Sequence, residues 1–179
     1  APEIAAKIPE ADIVAGTKDR RKLPELVRSV IAERRHIVAI DQYGAHDEFE
    51  LTRFEGAQDK TRAFVKIQDG CNQFCSYCII PYARGRLRSK PIDALKDEIS
   101  RLAQSGRREI VLVGINLAFY GVEFGLRLAD AVEVCCKTEG IERVRLGSLE
   151  PEILSDEDLR RLAALPELCP QFHLSLQSG

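Results

Sequence analysis

Ala63-Phe64-Val65-Lys66-Ile67-Gln68-Asp69-Gly70-Cys71-Asn72-Gln73-Phe74-Cys75-Ser76-Tyr77-Cys78 is the stretch on which the reading of this chain turns. Val65 and Ile67 fall on one side of an extended segment and Lys66 and Gln68 on the other, the two-residue period of a strand. The strand, Ala63 to Gln68, then runs into a loop with three cysteines in C-x3-C-x2-C spacing. A loop is a poor place to bury small apolar side chains, so thiols gathered there point to metal chemistry rather than to packing.

Downstream of the loop, strands and helices alternate. Pro91 to Ser105 places Ile92, Leu95, Ile99 and Leu102 at helical spacing, and Glu109 to Val113 reads as a buried strand. Leu126 to Thr138 is a second helix with Gly140 set to end it. Arg143 to Leu146 is a third strand. Ser155 and Asp158 form a capping box, with Leu154 and Leu159 as its staple, opening a third helix. Gln171 to Leu176 is the fourth strand. Successive β-α-β units with short connections predict an α/β fold of parallel strands with right-handed crossovers, either a barrel or an open doubly wound sheet.

The side-chain alternation favours a partial (β/α) barrel. Val144 and Leu146 oppose Arg143 and Arg145, while Phe172, Leu174 and Leu176 oppose His173, Ser175 and Gln177. A sheet covered by helices on both faces is apolar on both, so a polar second face predicts a wet lumen. The competing reading is an antiparallel sheet with one solvated face.

Upstream lies a smaller α/β unit. Asp12 to Gly16 reads as a strand, Leu23, Leu26, Val27, Val30 and Ile31 as a helix face with Pro24 at its start, and His36 to Ile40 as another strand. Asp41 to Arg62 has no sustained period and reads as a linker or long loop. We therefore divide the chain at residues 1–58 and 59–179.

With 179 residues, 45% hydrophobic and 30% charged, the chain can bury a real core, which argues against disorder. A net charge of −2 supplies no global attraction to phosphate, so any nucleic-acid contact must be local. No apolar run suits a bilayer and no charged-then-apolar leader opens the chain, which predicts a cytoplasmic protein in a reducing compartment. Methionine is absent and the chain stops at Ser178-Gly179 after a strand pattern, which predicts an excerpt of a longer protein.

Three thiolates on one loop can reach three irons of a 4Fe-4S cubane and leave the fourth iron open. That open iron can chelate the amino and carboxylate groups of S-adenosylmethionine and pass one electron to its sulfonium. A zinc site would need a fourth ligand, and no histidine lies within the loop. Cys135 and Cys136 follow Leu128 and Val132 on an apolar helix face and read as core; Cys169, in a turn, reads as structural.

The cysteine spacing, with aromatic Tyr77 before the third cysteine, resembles the signature of the radical S-adenosylmethionine superfamily. Asp69-Gly70-Cys71 through Ala83-Arg84-Gly85, then Val113-Gly114-Ile115-Asn116-Leu117 with Tyr120-Gly121, Leu146-Gly147-Ser148-Leu149-Glu150-Pro151, and His173-Leu174-Ser175-Leu176-Gln177-Ser178-Gly179 are similar to the methylthiotransferase family. The Gly-Ile-Asn-Leu and Ser-Leu-Glu-Pro segments resemble the branch acting on N6-threonylcarbamoyladenosine at position 37 of tRNA, and residues 1 to 40 resemble the tail of the family's N-terminal domain.

The resemblance implies a radical that takes hydrogen from C2 of the modified adenine, followed by insertion of a methylthio group built with a second S-adenosylmethionine. It implies tRNA, through its anticodon loop, and an electron donor such as flavodoxin or ferredoxin as partners. It also implies a second 4Fe-4S cluster on three N-terminal cysteines and a C-terminal RNA-binding TRAM domain. No cysteine precedes Cys71 and the chain ends inside the barrel, so the excerpt alone is expected to be inactive.

Barrel enzymes place chemistry at the C-terminal ends of strands, which here carry Asp69, Gly114 with Asn116, Ser148 with Glu150, and Gln177. Gly114 and Asn116 resemble the superfamily's segment for the methionyl amino group, although the usual Gly-Gly-Glu is replaced; its alternative is a plain strand-to-loop turn. Glu150 is a candidate for a ribose hydroxyl, and Tyr77, Ser148 and Gln177 complete the candidate cofactor contacts. Arg84, Arg86, Arg88 and Lys90 form a candidate contact with substrate phosphates, or else a solvated face. His36 and His46 read as structural or solvated, while His173 shares the polar strand face. Rival functions are methylthiolation of isopentenyladenosine in tRNA or of a ribosomal protein aspartate and, from another class, a non-catalytic iron–sulfur or zinc module.

Overall fold

The computed structural model describes residues 2–44, 47–51, 61–150 and 154–177. Its first unit is α1 (Pro2–Lys7), β1 (Ile13–Ala15), α2 (Leu23–Glu33, Pro24 in its first turn) and β2 (Ile37–Ala39). β1 and β2 pair in parallel around the α2 crossover, as the apolar runs predict, whereas the short α1 has no signal in the periodicity. Residues 41–44 and 47–51 carry no regular structure; the boundary at 58/59 and His46 lie outside the described residues.

The second unit is built on β3 (Arg62–Lys66), β6 (Glu109–Val113) and β7 (Arg143–Leu146), parallel and in the spatial order β3-β6-β7. β8 (Ser148–Leu149) continues from β7 after Gly147 and pairs in parallel with β9 (His173–Leu174). Between these strands run α4 (Ile92–Gln104), α5 (Leu128–Cys136) and α6 (Asp156–Ala163), with α4 against α5 and α5 against α6. Sequential strand order with all helices on one face is barrel topology; a doubly wound sheet would reverse order at a switch point and cover both faces.

The register shows which face is which. Ala63, Ile110 and Val144 align, as do Val65, Leu112 and Leu146, and these layers meet Leu95, Ile99, Leu128, Val132, Cys135 and Leu162 from the helices. Fully burying each such aliphatic side chain contributes about 1.5–3 kcal/mol. On the other face Glu109 accepts from Arg143 Nε at 3.1 Å and Arg145 Nε at 2.9 Å, with Arg62 Nε at 3.5 Å, so the polar alternates of the three strands form one ion-pair cluster on the lumen side.

Several boundaries differ from the sequence reading. The first strand ends at Lys66, and the chain then turns into a hairpin in which β4 (Gln68–Asp69) pairs antiparallel with β5 (Arg88–Ser89). The hairpin closes the base of the cysteine loop, a long-range pairing that leaves no local period. The fourth strand is broken: Leu168 bridges Val144, Gln171 N–H turns back to the Cys169 carbonyl at 2.7 Å, and only His173–Leu174 pairs again. Phe172, Leu174 and Leu176 are exposed rather than core. The capping box forms, with Asp158 N–H donating to Ser155 Oγ and Ser155 N–H to Asp158 Oδ2, both at 3.1 Å, but Leu159 is half exposed. No described helix is long and apolar enough to cross a membrane.

Candidate functional site

Backbone geometry at the base of the cysteine loop holds its two ends together. Cys71 N–H donates to the Gly85 carbonyl at 3.2 Å, and Leu87 N–H to Asn72 Oδ1 at 3.1 Å. Gly70 sits at φ +70, where a Cβ would come within 2.0 Å of the Arg86 carbonyl oxygen, so only glycine allows this closure. Cys78 N–H donates to the Cys75 carbonyl at 2.9 Å, curling the second and third cysteines into one turn ahead of α3 (Ile80–Arg84). Phe74, between the first two cysteines, adopts φ 48 and meets Tyr82 edge to face at 5.7 Å.

Cys71 is buried; Cys75 and Cys78 are half-buried. Burial pushes the Cys71 thiol above its ordinary value, the charges of Glu150, Cys75 and Cys78 push it further, and the Gln73 N–H facing its sulfur at 3.5 Å opposes them. Cys75 and Cys78 thus stand close enough to act on Cys71 through their charge, and a bound cation would reverse that repulsion. Among the described residues no three Cys, His, Asp or Glu side chains close on a point as they would around a single ion. A cubane asks for something else, one thiolate at each of three iron corners, and the donor set on this loop suits it. Cys135 and Cys136 are in the core, with burial raising the Cys135 thiol and holding Cys136 up at about 12.

Beside the loop, four of the expected cofactor residues join in one hydrogen-bonded chain. Tyr77 OH donates to Gln177 Oε1, Gln177 Nε2 donates to Glu150 Oε1 at 3.1 Å, and Asn116 Nδ2 donates to Glu150 Oε2 at 2.7 Å. Asn116 is buried, and its Oδ1 is a buried acceptor with no hydrogen-bond partner among the described residues. Gln177 reaches the chain from φ 63, a left-handed conformation that a non-glycine residue adopts only when its surroundings hold it there.

The other expected residues fall elsewhere. Ser148 bonds His173 Nδ1 at 2.8 Å, the two residues standing opposite each other in the β8–β9 register. Gly114 faces protein: a Cβ there would meet Gln68 Cβ, Gln68 Oε1 and Leu117 Cδ2 at 3.0 Å. Pro151, Ser178 and Gly179 lie outside the described residues.

The basic run splits. Arg88 is turned into the protein: it is 6% exposed, donates to the Arg84 and Arg86 carbonyls at 2.9 and 2.8 Å, pairs with Asp69 at 3.8 Å and stacks over the Tyr43 ring at 4.4 Å. Lys90 is likewise buried, on Glu98. Arg84 is half-buried, 3.8 Å from Asp69, and Arg86 is exposed. The sequence reading missed Gln68 and Tyr43, whose partners come from distant segments.

The family model described as Radical SAM superfamily matches residues 65–179. Among curated proteins, the chain is 35% identical over 99% of its length to the threonylcarbamoyladenosine tRNA methylthiotransferase MtaB of Aquifex aeolicus, covering 43% of that protein. It is 38% identical over 99% of its length to the tRNA-2-methylthio-N(6)-dimethylallyladenosine synthase of Clostridium novyi, covering 39% of it. The chain thus spans about two fifths of the length of these relatives. Among solved structures, the radical S-adenosylmethionine methyltransferase TsrM of Kitasatospora setae superposes with a TM-score of 0.51 at 16% identity, over 66% of this chain and 22% of that one, a likeness of fold.

Proposed function

This chain belongs to the radical SAM superfamily, and from that premise we propose that it is the catalytic core of a tRNA methylthiotransferase acting on C2 of N6-threonylcarbamoyladenosine at position 37. The observation that carries the reading is the convergence of the C-x3-C-x2-C loop with the Tyr77–Gln177–Glu150–Asn116 chain at the C-terminal ends of the strands. Similarity to methylthiotransferases along nearly the whole chain supports the reaction class.

In this reading Cys71, Cys75 and Cys78 hold a 4Fe-4S cluster through three irons. The cluster, when bound, supplies one electron for reductive cleavage of S-adenosylmethionine. Asn116, whose Oδ1 has no partner among the described residues, accepts from the cofactor's ammonium group. Glu150 orients the Asn116 carboxamide by accepting from its Nδ2, and Gln177 fixes the carboxylate from the other side. Tyr77, 76% exposed, offers its ring at the mouth of the site. Arg86 contacts tRNA phosphate. The second cluster and the RNA-binding domain would come from parts of the protein outside this sequence, and the electron donor is a flavodoxin or ferredoxin in the cytoplasm.

A second reading, isopentenyladenosine in tRNA as the substrate, is favoured by the 38% identity to the dimethylallyladenosine-type enzyme. Mass spectrometry of tRNA nucleosides from a deletion strain separates the two: loss of the methylthiolated threonylcarbamoyl nucleoside alone is expected, and loss of the isopentenyl product instead would reassign the substrate. Anaerobic reconstitution yielding zinc or an inert cluster, with no deoxyadenosine formed, would remove the reading altogether.

A further inference from the structure

The geometry points to Gln68 as a positioning residue that keeps the two walls of the cofactor site in register, an inference that rests on the cofactor site proposed above. Its side chain is 0% exposed and its carboxamide is used on both ends. Nε2 donates to the carbonyls of Asp69 and Gly70 at 3.1 and 2.7 Å, the peptide groups leading directly into Cys71. Oε1 accepts the Asn116 N–H at 2.7 Å, across 48 positions of sequence. One rigid amide plane thus joins the backbone of the cysteine loop to the backbone of Asn116.

Among uncharged side chains of this length only glutamine offers paired donors and an acceptor at one end. Leucine or methionine would fill the volume but remove the partners that Gln68 gives to the Gly70 carbonyl and the Asn116 N–H. Gly114 belongs to the same device, because a Cβ there would press on Gln68 Cβ and Oε1 at 3.0 Å. Gln68 makes no hydrogen bond to the cysteine sulfurs or to Asn116 Oδ1; it acts through the backbone on either side.

The test compares the full-length protein with its Gln68→Met variant in two measurements. In metal-free protein, hydrogen exchange at the Asn116 amide should rise at least about tenfold while the Leu112 amide in β6 keeps its protection. In reconstituted protein, iron content should be unchanged, the S-adenosylmethionine-induced change in the electron paramagnetic resonance of the reduced cluster should weaken, and KM for the cofactor should rise about tenfold with kcat altered less than about threefold. Parental exchange at Asn116 together with a parental spectral change overturns the inference. Where circular dichroism finds the methionine variant unfolded, Gly114→Ala replaces it, since its Cβ displaces Gln68 without removing it; unchanged Asn116 exchange there is equally fatal. Failure of the unsubstituted protein to respond to S-adenosylmethionine would instead remove the cofactor site itself.

Discussion

Asn116 Nδ2 lies 2.7 Å from Glu150 Oε2, tying together two strand ends that are 34 positions apart in the chain. The carboxylate accepts one donor on that oxygen and Gln177 Nε2 on the other, so a change of its chemistry is felt by both neighbours.

Glu150→Gln keeps the shape but turns one acceptor into a donor that faces another donor, leaving a polar group unpaired. Cofactor affinity should fall about tenfold, the equivalent of about 1.4 kcal/mol, as read by calorimetric titration of reconstituted protein. An unchanged affinity would show that Glu150 does not organise the site.

The cysteines should separate into two classes. Alanine at Cys71, Cys75 or Cys78 should reduce iron from about four per cluster to below about one and abolish deoxyadenosine formation, since two thiolates cannot hold a cubane firmly. Cys135→Ala should leave iron unchanged and cost about 1–2 kcal/mol through the small cavity it opens. Iron analysis and urea denaturation measure both.

Arg86 and Arg88 predict opposite phenotypes two positions apart. Arg86→Ala should weaken tRNA binding and reduce the slope of log affinity against log salt by about one, with stability unchanged. Arg88→Ala removes two backbone hydrogen bonds and an ion pair beside buried Asp69 and should cost about 3 kcal/mol or more. Filter binding across salt concentrations and thermal melting distinguish them.

Two glycines with similar backbone angles should differ sharply. Gly70→Ala meets the Arg86 carbonyl and should cost more than about 3 kcal/mol, whereas Gly106 at φ +85 has nothing within 4 Å of a Cβ and its alanine variant should cost about 1 kcal/mol. Denaturant midpoints at constant slope report the difference.

Glu109 makes the lumen face sensitive to acid. The hydrogen bond from Arg143 foremost, with Arg145 and Arg62, holds its carboxyl below the usual range despite desolvation. A depressed folded pKa adds stability that is present above the unfolded value of about 4.3 and is lost as pH falls through the lower folded value. Melting temperature should therefore fall between about pH 5 and pH 3, and Glu109→Gln should flatten that slope. An identical slope in the variant would place the acid sensitivity elsewhere.

The sequence by itself determined the order of β3, α4, β6, α5, β7 and α6, the core-facing sides of the strands and of the first two helices, and the cysteine loop. Those features are written in local periods and caps, where a residue's role depends on neighbours two to four positions away. The tertiary structure alone decided that Arg88 is buried on Asp69 and Tyr43, that the fourth strand shrinks to His173–Leu174, and that Tyr77 and Gln177, 100 positions apart, share a hydrogen bond. It likewise decided that Gln68, which looks like any polar strand residue, is wholly buried. A polar side chain satisfies its hydrogen bonds with whatever the fold brings beside it, and no local pattern encodes which distant backbone that will be.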